Sequence, residues 1–70
     1  MPMKLSARNQ LKGTIIAVEK GPVSAKVKID VGGGTIITST VTSETVEDLG
    51  LANGDSVTAI IKASDVLIGK

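Results

Sequence analysis

The sequence predicts an all-β fold: a five-stranded OB-like barrel with one short helix between strands 3 and 4, as one domain spanning residues 1–70. Three observations carry this. Apolar residues make up 41% of the chain and are almost all Val, Ile, Leu and Ala, with no Phe, Tyr or Trp. Short runs of them are rich in β-branched residues, and one alternates strictly with charge, the mark of a half-buried strand. Turn signals divide the runs, and only one stretch carries helix start and stop signals.

Taken in order, residues 11–18 form the first strand, with Thr14, Ile15, Ile16 and Val18 bounded by Gly13 and Gly21-Pro22. Residues 25–31 alternate apolar and charged side chains as the second. Gly32-Gly33-Gly34 then folds the chain back as a hairpin into a third strand over residues 35–41. This glycine run joins strand to strand, with no Lys-Ser/Thr behind it and no helix to follow. It therefore reads as a turn and not as a phosphate loop. Residues 42–50 are the helical exception: Thr42 or Ser43 caps the start, Glu44 lies in the first turn, Val46 and Leu49 share a face, and Gly50 ends it. Asn53-Gly54 marks another turn. The fourth strand covers residues 56–63, with Val57, Ala59 and Ile61 on one face. Ser64-Asp65 break it before a short fifth strand over residues 66–68.

Seventy residues make a small core; a chain of this size buries only about 60% of its unfolded surface. Disulfides are ruled out by the absence of Cys, and a structural metal is disfavoured because neither Cys nor His is present. Oligomerisation is the remaining remedy. It also suits Ile15-Ile16, Ile36-Ile37 and Ile60-Ile61, because adjacent strand residues face opposite sides and one of each pair must point away from the core. Eight basic residues against seven acidic give a net charge of +1, so no broad field attracts a polyanion. Met1-Pro2-Met3-Lys4 is no signal segment, and no run approaches the roughly 20 apolar residues of a membrane span. A soluble cytoplasmic protein with no membrane partner is expected.

The polar groups at the two ends of this pattern suit a small oxyanion. Ser6, Arg8 and Asn9 stand just before the first strand, and Lys62 and Ser64 close the fourth. Arg8 and Lys62 supply positive charge. Ser6, Asn9, Ser64, Thr42 and Thr45 supply donors, joined by backbone N–H groups near Ala7, Ala63 and Thr45. Each hydrogen bond to a charged group contributes about 1.5–3 kcal/mol net, so a shell of five or six reaches micromolar binding after desolvation. Spacing alone leaves the bland reading open, in which Arg8 and Lys62 are solvated surface charges and Thr42 and Thr45 only start a helix.

Beyond spacing, the run Ser6-Ala7-Arg8-Asn9-Gln10-Leu11-Lys12-Gly13-Thr14-Ile15 resembles the opening of the molbindins, small molybdenum-pterin-binding proteins of the Mop type. The likeness continues through Gly21-Pro22-Val23-Ser24-Ala25-Lys26-Val27, Val41-Thr42, Val46 to Leu51 and Gly54, ending on Ile61-Lys62-Ala63-Ser64-Asp65-Val66. It covers nearly all of the chain from Lys4 onward. The resemblance implies an OB-like barrel, a hexamer built as a trimer of dimers, and molybdate or tungstate as ligand, bound between subunits with no further cofactor. It assigns one site type to Ser6, Ala7, Arg8 and Asn9 of one subunit with Thr42, Thr45, Lys62, Ala63 and Ser64 of a neighbour. A second type, near threefold axes, falls on Lys20, Gly21, Val23 and Ser24, where Pro22 has no N–H to give. Storage of the oxyanion, without catalysis, is the expected role.

Three other classes compete. OB barrels that bind single-stranded nucleic acid stack bases on aromatic side chains in a basic groove; this chain has no aromatics and a near-neutral balance. Catalysis lacks a His, a Cys or a base poised beside a nucleophile, and no bare-cation site is expected. A purely structural subunit, whose polar motifs only order an interface, differs in showing no anion-dependent stabilisation.

Overall fold

A computed structural model describes residues 8–70. It contains β1 (Asn9–Lys20), β2 (Ser24–Gly32), β3 (Thr35–Thr42), α1 (Ser43–Leu49) and β4 (Ser56–Ile61), followed by a single 3-10 turn over Ala63–Asp65. The four strands form one antiparallel sheet in the order β3-β2-β1-β4. The helix lies between strands 3 and 4, as the sequence predicts.

The first strand is the longest because it serves two partners. Its first half pairs with β4, from Asn9 opposite Ile61 to Thr14 opposite Ser56. Its second half pairs with β2, from Thr14 opposite Asp30 to Lys20 opposite Ala25. Between Ile15 and Ala17 the register slips by one, so Ile16 is an extra, bulged residue that bends the strand. Where the partners change over, the backbones crowd. A Cβ on Gly13 would lie 2.6 Å from the Asp30 carbonyl oxygen and 2.7 Å from Ile29 Cγ2. Only glycine fits there.

Period-two alternation turns Ala25, Val27 and Ile29 inward from β2, where they join Ile15, Val46 and Ala59 in the core. The sheet borders an open, mostly apolar hollow of about 1020 Å³ lined by Ile15, Val27, Ile37, Leu51, Val57 and Ile61 among others. At the hairpin Gly33 and Gly34 both have positive φ (63° and 81°), which the tight turn requires and which a side chain would resist. Thr42 is the helix cap, its Oγ1 accepting from the Thr45 N–H, and Gly50 closes the helix in the left-handed conformation at φ 62°.

Among the described residues the strand count is four and not five. After Ile61 the chain leaves the sheet: Asp65 N–H donates to the Lys62 carbonyl at 2.9 Å and Val66 N–H to that of Ala63 at 3.3 Å. Val66, Leu67 and Ile68 have the composition of a strand, yet no described strand runs beside them. They are exposed at 48%, 92% and 94%. The expected division of the isoleucine pairs is present: Ile16, Ile36 and Ile60 are exposed at 41%, 52% and 43%.

Replacing Gly13 by Ala should lower the unfolding free energy by about 1–3 kcal/mol, the usual range for overpacking. Urea denaturation checks this, and an unchanged midpoint would contradict the crowding.

Candidate functional site

Antiparallel pairing sets the start of β1 against the end of β4. Asn9 lies opposite Ile61, and its side-chain Nδ2 donates to the Ile61 carbonyl at 3.1 Å. That bond fixes the residues just outside the ladder: Arg8 on one strand, then Lys62, Ala63 and Ser64 on the other. All four are exposed. Among the described residues the ion pairs are Lys20–Glu47 at 3.2 Å and Lys28–Glu19 at 3.8 Å. Neither Arg8 nor Lys62 is therefore held by a described carboxylate. The 3-10 turn gathers Lys62, Ala63 and Ser64 into a short bend and not an extended strand end. Ser6 and Ala7 lie outside the described residues.

Thr42 and Thr45 stand elsewhere. Thr42 pairs with Ser24 beside the far end of β1, whose last residue, Lys20, is eleven positions from Asn9. Their hydroxyls are 2.8 Å apart, and the Thr45 N–H is already taken by Thr42 Oγ1 at 3.0 Å. The Thr45 amide expected from the sequence to serve a ligand thus serves the helix cap. Two hydroxyls that share one bond still leave one O–H to donate outward. Within one chain Arg8 and Asn9 lie beside Lys62, Ala63 and Ser64, which the resemblance assigns to a neighbour together with Thr42 and Thr45, and the helix start lies beside the other end of β1.

Lys20, Gly21, Val23 and Ser24 make the β1–β2 turn, directly beside the helix start. Gly21 N–H donates to the Ser24 carbonyl at 2.9 Å, and Ser43 N–H donates to that of Val23 at 2.9 Å. A small hollow of about 380 Å³ at this turn is lined by Glu19, Lys20, Gly21, Ser24, Lys26 and Thr40. Lys26 and Thr40, which sequence reasoning did not single out, enter it because they are register partners across β2 and β3. Counting outward from the glycine hairpin would have paired them, but for the irregularity between Asp30 and Gly32.

Chemically, both clusters offer hydrogen-bond donors and ammonium or guanidinium groups. Among the described residues no group of three or more His, Cys, Asp or Glu side chains gathers to hold a metal cation, and no helix is long and apolar enough to cross a membrane.

The TOBE domain family matches residues 5–68. Molybdenum-pterin-binding protein 3 of Clostridium pasteurianum is 48% identical over 66 residues, which covers 94% of this chain and 97% of that protein. Among solved structures, a molybdate-binding protein from Sporomusa ovata superposes with a TM-score of 0.90 at 41% identity, covering 97% of this chain and 100% of that one. The cytoplasmic molybdate-binding protein ModG, solved with molybdate bound, superposes with a TM-score of 0.88 at 52% identity, over 93% of this chain and 46% of ModG.

Removing the cap hydroxyl with Thr42→Ala should cost about 1 kcal/mol of stability. Thermal unfolding followed by circular dichroism reads this as a lowered Tm; an unchanged Tm would show that the Thr42–Thr45 bond is idle.

Proposed function

Because the chain belongs to the TOBE-domain family, sharing whole-length likeness with molybdenum-pterin-binding proteins, we propose that it binds molybdate or tungstate between subunits and stores it in the cytoplasm without catalysis. The observation that carries the reading is the pairing of Asn9 with Ile61. It sets Arg8 and Lys62, two cations with no described carboxylate partner, beside Asn9, Ala63 and Ser64 on adjoining strands. A tetrahedral dianion requires two such charges and a ring of donors. Ser6 and Ala7 complete the opening half, and Thr42 and Thr45 of another copy complete the shell. Lys20, Gly21, Val23 and Ser24 form the second site type.

The assembly we propose is a homo-oligomer, a hexamer arranged as a trimer of dimers, of a chain that is one domain throughout. Its support is apolar surface: Ile16, Ile36 and Ile60 on the outer side of the sheet, and Leu67 and Ile68 beyond its end. An ion that binds only the assembled form stabilises that form by mass action. Size would exclude sulfate, since the smaller ion leaves some donors of a fixed cage out of reach. With no aromatic residue, the chain has no stacking platform for single-stranded nucleic acid or a pterin ring.

Calorimetric titration of the chain with molybdate, with sulfate as competitor, tests this reading. Saturable binding that excess sulfate leaves in place is expected; absence of saturation would refute it. In the same assay Arg8→Ala and Lys62→Ala should each weaken binding by about tenfold or more, the worth of one charge-assisted hydrogen bond. Wild-type affinity in both variants would remove these residues from the site.

A further inference from the structure

Ser43 is the one polar residue buried among the described residues, at 7% exposure. Its hydroxyl donates to the Gly21 carbonyl at 2.6 Å, and its own N–H donates to the Val23 carbonyl at 2.9 Å. A helix-start residue is thereby fastened twice to a turn 22 positions earlier. With Gly21 N–H on the Ser24 carbonyl, three carbonyls of this turn are engaged by donors of the protein. That matters electrostatically: a carbonyl oxygen turned toward an oxyanion repels it, and a carbonyl held by an inward hydroxyl is kept away. The same residue stands between Thr42 and Thr45, so its fastening also fixes where those two hydroxyls project. The cap would form with Ala at position 43, because Thr42 supplies the capping oxygen. Helix formation therefore leaves the Ser43 hydroxyl unexplained.

We infer that Ser43 is a positioning residue for oxyanion binding, one that locks the Lys20–Ser24 turn to the Thr42–Thr45 pair so that donors, not carbonyls, face the ligand. This rests on the oxyanion reading above and deepens it. The coupling is local and needs no movement of the sheet. Without the hydroxyl, the Gly21 carbonyl loses its inward partner and seeks water, which turns the peptide plane toward the surface where the anion would lie.

The test is molybdate titration of the full chain by calorimetry for the wild type, Ser43→Ala, Ser43→Thr and Val57→Ala, with a thermal melt of each. Ser43→Ala should bind molybdate about fivefold more weakly, the factor set by one lost neutral hydrogen bond. Ser43→Thr, which keeps the hydroxyl, should recover most of the loss. Val57→Ala thins the core at β4, away from the turn, and should lower Tm without weakening binding; this separates positioning from plain destabilisation. Wild-type affinity in Ser43→Ala, or equal weakening in Val57→Ala at a matched loss of Tm, would overturn the assignment. No saturable binding by the wild type would instead overturn the oxyanion reading on which it stands.

Discussion

Everything in this chain hangs on one strand serving two partners. β1 pairs with β4 through its first half and with β2 through its second. The exchange is possible only because Gly13 carries no side chain where a Cβ would lie 2.6 Å from the Asp30 carbonyl oxygen, and because the extra residue at Ile16 bends the strand. The loop ahead of β4 is stitched to the same place: Ile15 N–H donates to the Asp55 carbonyl at 2.9 Å, and Gly54 N–H to that of Ile15 at 2.8 Å. Ile15 is also the most deeply buried side chain among the described residues, at 1%. Sheet continuity, core and turn therefore meet at one short stretch.

That arrangement also decides what the surface can do. Because β1 is long, the groups at its two ends are far apart, and each gathers its own cluster: Arg8 and Asn9 with Lys62 to Ser64, and Lys20 to Ser24 with the helix start. The first holds Arg8 and Lys62, cations with no described carboxylate partner. The second is ordered by backbone bonds and a buried hydroxyl. Among the described residues, neither cluster by itself brings Arg8 and Lys62 together with Thr42 and Thr45. The exposed isoleucines, with Val66, Leu67 and Ile68, leave apolar surface on the single chain.

Local chemistry made most of the fold legible. Three consecutive glycines, the period-two run 25–31, the Thr-x-x-Thr start and the Gly50 stop each act within a few residues, and each appears where the sequence puts it. The likeness of the opening and closing motifs to a known family located the candidate residues, and whole-length matches place the chain in that family. The fifth strand failed for a non-local reason. Val66 to Ile68 have β-propensity, but a strand exists only against a partner, and the described residues offer none beside them. The clamp from Ser43 was invisible for a similar cause, since a Ser beside a capping Thr gives no sign that its hydroxyl reaches a turn 22 residues back. The engagement of the Thr45 amide follows from Thr42 being the cap, an alternative the sequence left open between Thr42 and Ser43.

Native mass spectrometry of the full chain, with and without molybdate, tests the proposal that the oxyanion is held between copies of the chain, because it reads subunit number and ion number in one spectrum. Molybdate is expected on the oligomer, in whole-number ratio to its interfaces, with none retained by the monomer and a larger oligomer fraction when the ion is present. Monomer that retains molybdate as firmly as the oligomer would contradict it.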